Sequence, residues 1–150
     1  VAVQQPTVAL DFTRPPLFEH HELTAPFMPD PFGIWVRAGG AQAIAQAGII
    51  DPTGGSCAGH VNAAQPDLTI TYYSRGTPLL MSVVSDADTT LVVNLPDGTW
   101  RCNDDATSRT LNPRLYFEDG MSGRYAVWVG TYAPGTEYPL AQFRATTQLQ

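Results

Sequence analysis

An antiparallel β-sandwich preceded by an extended N-terminal arm is the fold this sequence predicts, on three observations. Charged residues make up only 15% of the chain while Gly and Pro number 13 each, so turns are frequent and solvated helical faces are scarce. Short runs of alternating apolar residues recur between turn signals, as sandwich strands do. A hydrophobic content of 43% over 150 residues is enough for one core in one domain.

Taken in order, residues 1–25 read as arm and linker and residues 26–150 as the sandwich. Val8, Leu10 and Phe12 alternate with Ala9 and Asp11 at a strand period. Pro15-Pro16 interrupts any ladder, and Glu19-His20-His21-Glu22 reads as a solvated linker. Phe32 to Arg37 is the first strand of the body, ended by Gly39-Gly40. Ala41 to Ile50 fits either a helical turn or a loop, and a long loop follows to Gln65. Leu68 to Tyr73 alternates cleanly; the Gly76-Thr77-Pro78 turn then leads into Leu79 to Val84. Leu91 to Asn94, the turn Pro96-Asp97-Gly98 and Thr99 to Cys102 form a hairpin signature. Leu115 to Phe117 is short, Gly123 to Tyr132 puts Tyr125, Val127 and Val129 opposite Ala126 and Trp128, and Leu140 to Thr147 closes the chain. Neither an internal repeat nor a low-complexity tract interrupts the series.

Charge restricts the partners. The net charge is −6 and all eight basic residues are Arg. Without a basic stripe few counterions are released from a phosphate backbone, which argues against nucleic acid. Apolar runs such as Pro78 to Val84 are far too short to span a bilayer, so membrane insertion is not expected. A chain that opens on Val1 fits a mature protein relieved of its leader.

Two cysteines, Cys57 and Cys102, stand outside any CxxC spacing. A single disulfide is the expectation, with two buried thiols the alternative. Closing a loop of this length would contribute about 4 kcal/mol. The bridge would place the protein outside the cytoplasm: secreted, on the cell surface or in the periplasm.

The acidic residues around the hairpin are the most informative group. Asp86 and Asp88 precede its first strand, and Asn103, Asp104 and Asp105 follow its second. A hairpin brings its outer ends together, so these side chains converge. Clustered carboxylates repel unless protons or a cation neutralise them. Oxygen ligands on irregular loops favour calcium, with Asn112 a further carbonyl donor. Turn capping by Asx hydrogen bonds is the competing explanation. An EF-hand is excluded, because the central Gly is missing and Leu91 to Val93 is strand.

Other constellations carry less. Gly54-Gly55-Ser56-Cys57-Ala58 nearly matches a nucleophile elbow, yet Ala58 replaces the last Gly and the strand–turn–helix context is unwritten, so Ser56 reads as structural. His60 has no assigned role. The Glu19 to Glu22 run makes a poor chelate, since adjacent side chains on an extended strand point apart. Trp35, Trp100 and Trp128 each fall within a strand pattern, where core packing is expected over a sugar-stacking platform. No nucleophile–base or paired acid–base set emerges, so an enzyme is not expected.

Asp88-Thr89-Thr90-Leu91, Pro96-Asp97-Gly98, Cys102 to Asp105, Asn112-Pro113 and Gly123 to Tyr132 stand in the order seen in a known family. Over roughly residues 26–148 the chain resembles the bacterial pre-peptidase C-terminal domain, in the variant of secreted alphaproteobacterial-type proteins. The resemblance implies a jelly-roll-like sandwich that accompanies secreted hydrolases and surface proteins without being catalytic, some relatives being calcium-dependent binding domains. Such modules usually hang on a larger partner, and residues 1–25 fall outside the resemblance. The expectation is therefore a calcium- and disulfide-stabilised structural module that self-associates through Val8, Leu10 and Phe12 into a surface polymer or oligomer. The alternative is a monomeric module that targets an extracellular polysaccharide or matrix protein.

Overall fold

The computed structural model describes residues 9–148, and Val8 lies outside them. Two β-sheets pack face to face. The larger contains β1 (Glu19–Thr24), β3 (Gln42–Ala43), β4 (His60–Val61), β5 (Leu68–Tyr73), β7 (Thr89–Asn94), β8 (Trp100–Asn103) and β10 (Gly123–Thr131). The smaller has the order β2 (Phe32–Arg37), β11 (Leu140–Thr146), β6 (Leu79–Val84), β9 (Arg114–Phe117). Strand β10 is the spine, with β7 along one side and β5 followed by β4 along the other. Among the described residues no helix is long and apolar enough to cross a membrane.

Period-two patterning explains both faces of β10. Tyr125, Val127 and Val129 point into the space between the sheets, where Ile34, Leu91, Met81 and Phe143 meet them. Ala126 and Trp128 point the other way and are equally buried, under Ile44, Val61 and Leu10. The larger sheet is thus covered twice, and its outer lid is the irregular segment that follows β2. Within that lid the open reading at Ala41 to Ile50 resolves into the short bridge β3 and a 3-10 turn over Ile44–Gln46.

Two expectations for residues 1–25 are corrected. Glu19 to Thr24 is a strand, β1, pairing in parallel with β5 from Glu19↔Leu68 to Thr24↔Tyr73. It is an edge strand with one deeply buried apolar residue, Leu23, so its polar sequence looked like a linker. Upstream, residues 9–18 form turns, not a strand. Leu10 is buried on its own sandwich, held by the Asp11 amide donating to Ala63 O (3.0 Å) and by the Arg124 guanidinium donating to Phe12 O and Arg14 O. Phe12 stays partly exposed, its ring edge against Trp100 at 6.1 Å.

Two of the crossovers between the sheets meet at one end of the sandwich. Residues 85–88 carry the chain from β6 to β7, and residues 104–113 carry it back from β8 to β9. Asn112 joins the two crossovers: its amide donates to Ser85 O (2.8 Å) and its carbonyl accepts from the Thr89 hydroxyl (2.7 Å). Backbone bonds Thr89 N to Leu111 O and Ala106 N to Asn112 O complete the seam.

Candidate cation site

This double crossover gathers the hairpin acids. One carboxylate oxygen each of Asp88, Asp104 and Asp105 lies within 4.8 Å of the others. Asp88 and Asp104 are half-buried and Asp105 is exposed, so the cluster opens to solvent on one side. Of six sequence-predicted ligands, these three come together. Asp86 is exposed and outside the cluster. Asn103 is committed elsewhere, its side-chain oxygen accepting the Arg114 amide at 2.9 Å. Asn112 has both ends engaged in the seam and braces the loops instead.

Electrostatics within the triad are unfavourable without a cation. Burial raises the pKa of Asp88, and the charge of Asp105 raises it further. Asp104 is raised by burial first, then by Asp105 and Asp88. Asp88 Oδ1 and Asp104 Oδ1 are also buried with no hydrogen-bond partner. Leaving such an oxygen unsatisfied costs about 1–3 kcal/mol. Asx capping looks different: Asp51 accepts the Thr53 amide at 2.7 Å and Asp97 the Thr99 amide at 3.0 Å. Three hard oxygen donors on two loops would accept calcium more readily than magnesium, which requires near-ideal octahedral geometry.

The disulfide lies near the base of the same hairpin. Cys57 and Cys102 are bonded, with Cα atoms 5.0 Å apart and 45 positions between them in sequence. Cys102 pairs with Val92 in the hairpin register, so the bridge ties the outer lid directly to the sheet. Gly55 passes so close that a Cβ there would meet Cys102 O at 2.2 Å and Asp51 Oδ2 at 2.4 Å. The Gly54 to Ala58 run is therefore a packed turn, with neither a strand directly before it nor a helix after it.

Sequence reasoning missed two buried carboxylates and misplaced one tryptophan. Asp51 closes the disulfide loop, and Asp67 is 1% exposed beside β10, accepting the Val129 amide at 2.7 Å. Both lie in stretches with no periodicity to flag them. Trp128 is buried as expected, its indole N–H donating to Asn62 O at 2.7 Å, and Trp100 packs against it. Trp35 instead points outward and is 58% exposed. In the Glu19 to Glu22 run, His20 faces Thr69 and His21 faces Glu19 and Phe32.

Fold and site together define a disulfide-bonded β-sandwich with an acidic triad at its sheet-crossover end. No protein-family model and no curated protein matches this chain.

Proposed function

We propose that this chain is a non-catalytic extracellular module, braced by its disulfide and by a calcium ion at Asp88, Asp104 and Asp105, that acts by binding an extracellular polymer. The observation that carries the reading is the pair of buried, unpartnered oxygens, Asp88 Oδ1 and Asp104 Oδ1, in one carboxylate cluster. Asp88 closes one sheet crossover and Asp104 opens the other, so an ion held there would brace the fold. A half-open site with three carboxylates belongs with weak extracellular calcium sites, about 0.1–1 mM in affinity. The disulfide fits the same oxidising environment. The order of motifs that resembles the pre-peptidase C-terminal domain favours a role without catalysis.

Burial of Leu10 on its own sandwich favours a module complete in itself over one that lends its arm to a neighbour. Self-association through the N-terminal segment is the second reading, supported by the exposure of Phe12, Leu17 and Phe18 beside Pro15-Pro16. Light scattering across a concentration series separates the two.

Calorimetric titration with calcium tests the site. Saturable binding should be lost in Asp88→Asn and Asp104→Asn. Because both carboxyls are raised in the metal-free protein, binding should release protons and weaken as pH falls. A wild-type protein that shows no heat up to about 10 mM calcium, well above the weak extracellular range, would contradict the reading.

A further inference from the structure

The smaller sheet has one face in the core and one that the described residues leave largely open. Its outward positions include Trp35 and Arg37 on β2, Gln142 and Arg144 on β11, and Arg114 and Tyr116 on β9. Three of the chain's eight arginines stand on this face, and none of its outward strand positions is acidic, although the net charge is −6. Among the described residues none of these arginines forms an ion pair. Locally, then, this flat sheet face carries arginines and no strand acid, while the carboxylate triad sits at the crossover end.

Part of that face is already ordered. Gln142 stands directly opposite Trp35 in the ladder, and its side-chain oxygen accepts Arg144 Nε at 2.7 Å. Its amide lies over Gly33, where a Cβ would meet Nε2 at 2.6 Å, so the glycine leaves room for the amide to lie flat. With Nε engaged, the outer nitrogens of Arg144 remain as a fork. Arg144 pairs with Ser82, and Ser82 with Arg114, which puts the two arginines in one row two strands apart. Strand spacing makes that about 10 Å. Trp35 is 58% exposed beside this row, a broad ring that the described residues leave open.

We propose that this face binds a carboxylate-bearing polysaccharide, with Trp35 as the stacking surface for a sugar ring and Arg144 and Arg114 as forks for successive carboxylates. Arginine suits this role because its planar donors match a carboxylate bidentately. A second copy of the chain is a poor occupant, since a two-fold contact would bring two arginine-bearing faces together with no strand acid from either. The assignment rests on the binding-module reading and names its ligand class.

Native electrophoresis through gels containing hyaluronate, with dextran as the neutral control, tests it. Hyaluronate should retard the wild-type protein and dextran should not, and about 1 M salt, where screening acts within about 3 Å, should abolish the retardation. Trp35→Ala and the pair Arg114→Gln/Arg144→Gln should each weaken binding about ten-fold or more. These side chains point outward, so unchanged melting curves should certify the fold of each variant. Absence of retardation by hyaluronate overturns the proposal, as does tighter binding of a thymidine oligonucleotide or self-association that Trp35→Ala abolishes. Hyaluronate retardation unchanged in both variants overturns this face while leaving the binding-module reading intact. Loss of the calcium response, a separate measurement that these variants do not touch, is what would remove that reading.

Discussion

The carboxylate of Asp51 accepts the backbone N–H of Cys102 at 2.9 Å, so the residue that the disulfide anchors is held a second time by the far end of the same loop. The same carboxylate takes the amide and hydroxyl of Thr53, both at 2.7 Å, and faces Arg101 Nε at 3.4 Å. Lid, hairpin and covalent bridge meet at one buried charge.

Asp51→Asn should therefore cost about 1.5–3 kcal/mol, the range for hydrogen bonds to a charged group. Burial pushes the Asp51 carboxyl up, but the Cys102 amide, the Thr53 hydroxyl and amide and Arg101 together outweigh it, and the net pKa is lowered. A lowered folded-state value contributes stability above the unfolded pKa and loses it as pH falls through the folded one. Denaturant unfolding at pH 7 and below pH 3 checks this. The variant should fall short of wild type at neutral pH and converge on it in acid.

Breaking the bridge should cost about 4 kcal/mol by loop entropy. Combined with Asp51→Asn, the Cys57→Ala/Cys102→Ala variant should lose less than the sum of the two effects, because both restrain the same loop. A double-mutant cycle in urea measures the coupling; strict additivity would contradict a shared role.

Asp67 predicts the opposite pH response. Burial pushes its carboxyl up to about 8, against the single lowering influence of the Val129 amide. A raised folded-state value means stability is full below the unfolded pKa near 4 and is lost as pH rises towards 8. Asp67→Asn keeps an oxygen for Val129 and removes the titration. Its stability relative to wild type should rise steadily between about pH 4 and pH 8, read from chemical unfolding across that window.

Leu10→Ala tests where the N-terminal segment docks. Leu10 packs with Ile44, Val61 and Trp128, so truncation should cost about 2–3 kcal/mol, within the range for buried leucines. The loss should be independent of protein concentration. A loss that appears only where the protein associates would return the segment to a neighbour.

The inner face of the sandwich was legible because its strands repeat with period two: Ile34 and Val36, or Tyr125, Val127 and Val129, leave no other arrangement. The outer lid was not, because the single 3-10 turn carrying Ile44 and the two-residue β4 carrying Val61 are too short to show a period, and Leu10 lies in an irregular stretch. Strand β1 was missed since an edge strand with polar outward residues reads as linker. Three triad members were legible through hairpin geometry, while Asn103 and Asn112 were drawn away by backbone partners that only the crossovers supply. Trp35 shows the limit of composition. Aromatic character within a strand pattern argued for burial, whereas its place between the inward Ile34 and Val36 turns it out of the core.

Thermal unfolding of the full chain with chelator and with about 1 mM calcium, the upper end of the weak extracellular range, tests the account most directly. Calcium should raise the melting temperature of the wild-type protein, with a dependence on concentration that follows mass action. Asp88→Asn and Asp104→Asn should abolish that rise, and Asp86→Asn should preserve it, because Asp86 lies outside the cluster. A melting temperature that calcium leaves unmoved, in protein verified as metal-free, would contradict the proposed site and the extracellular role built on it.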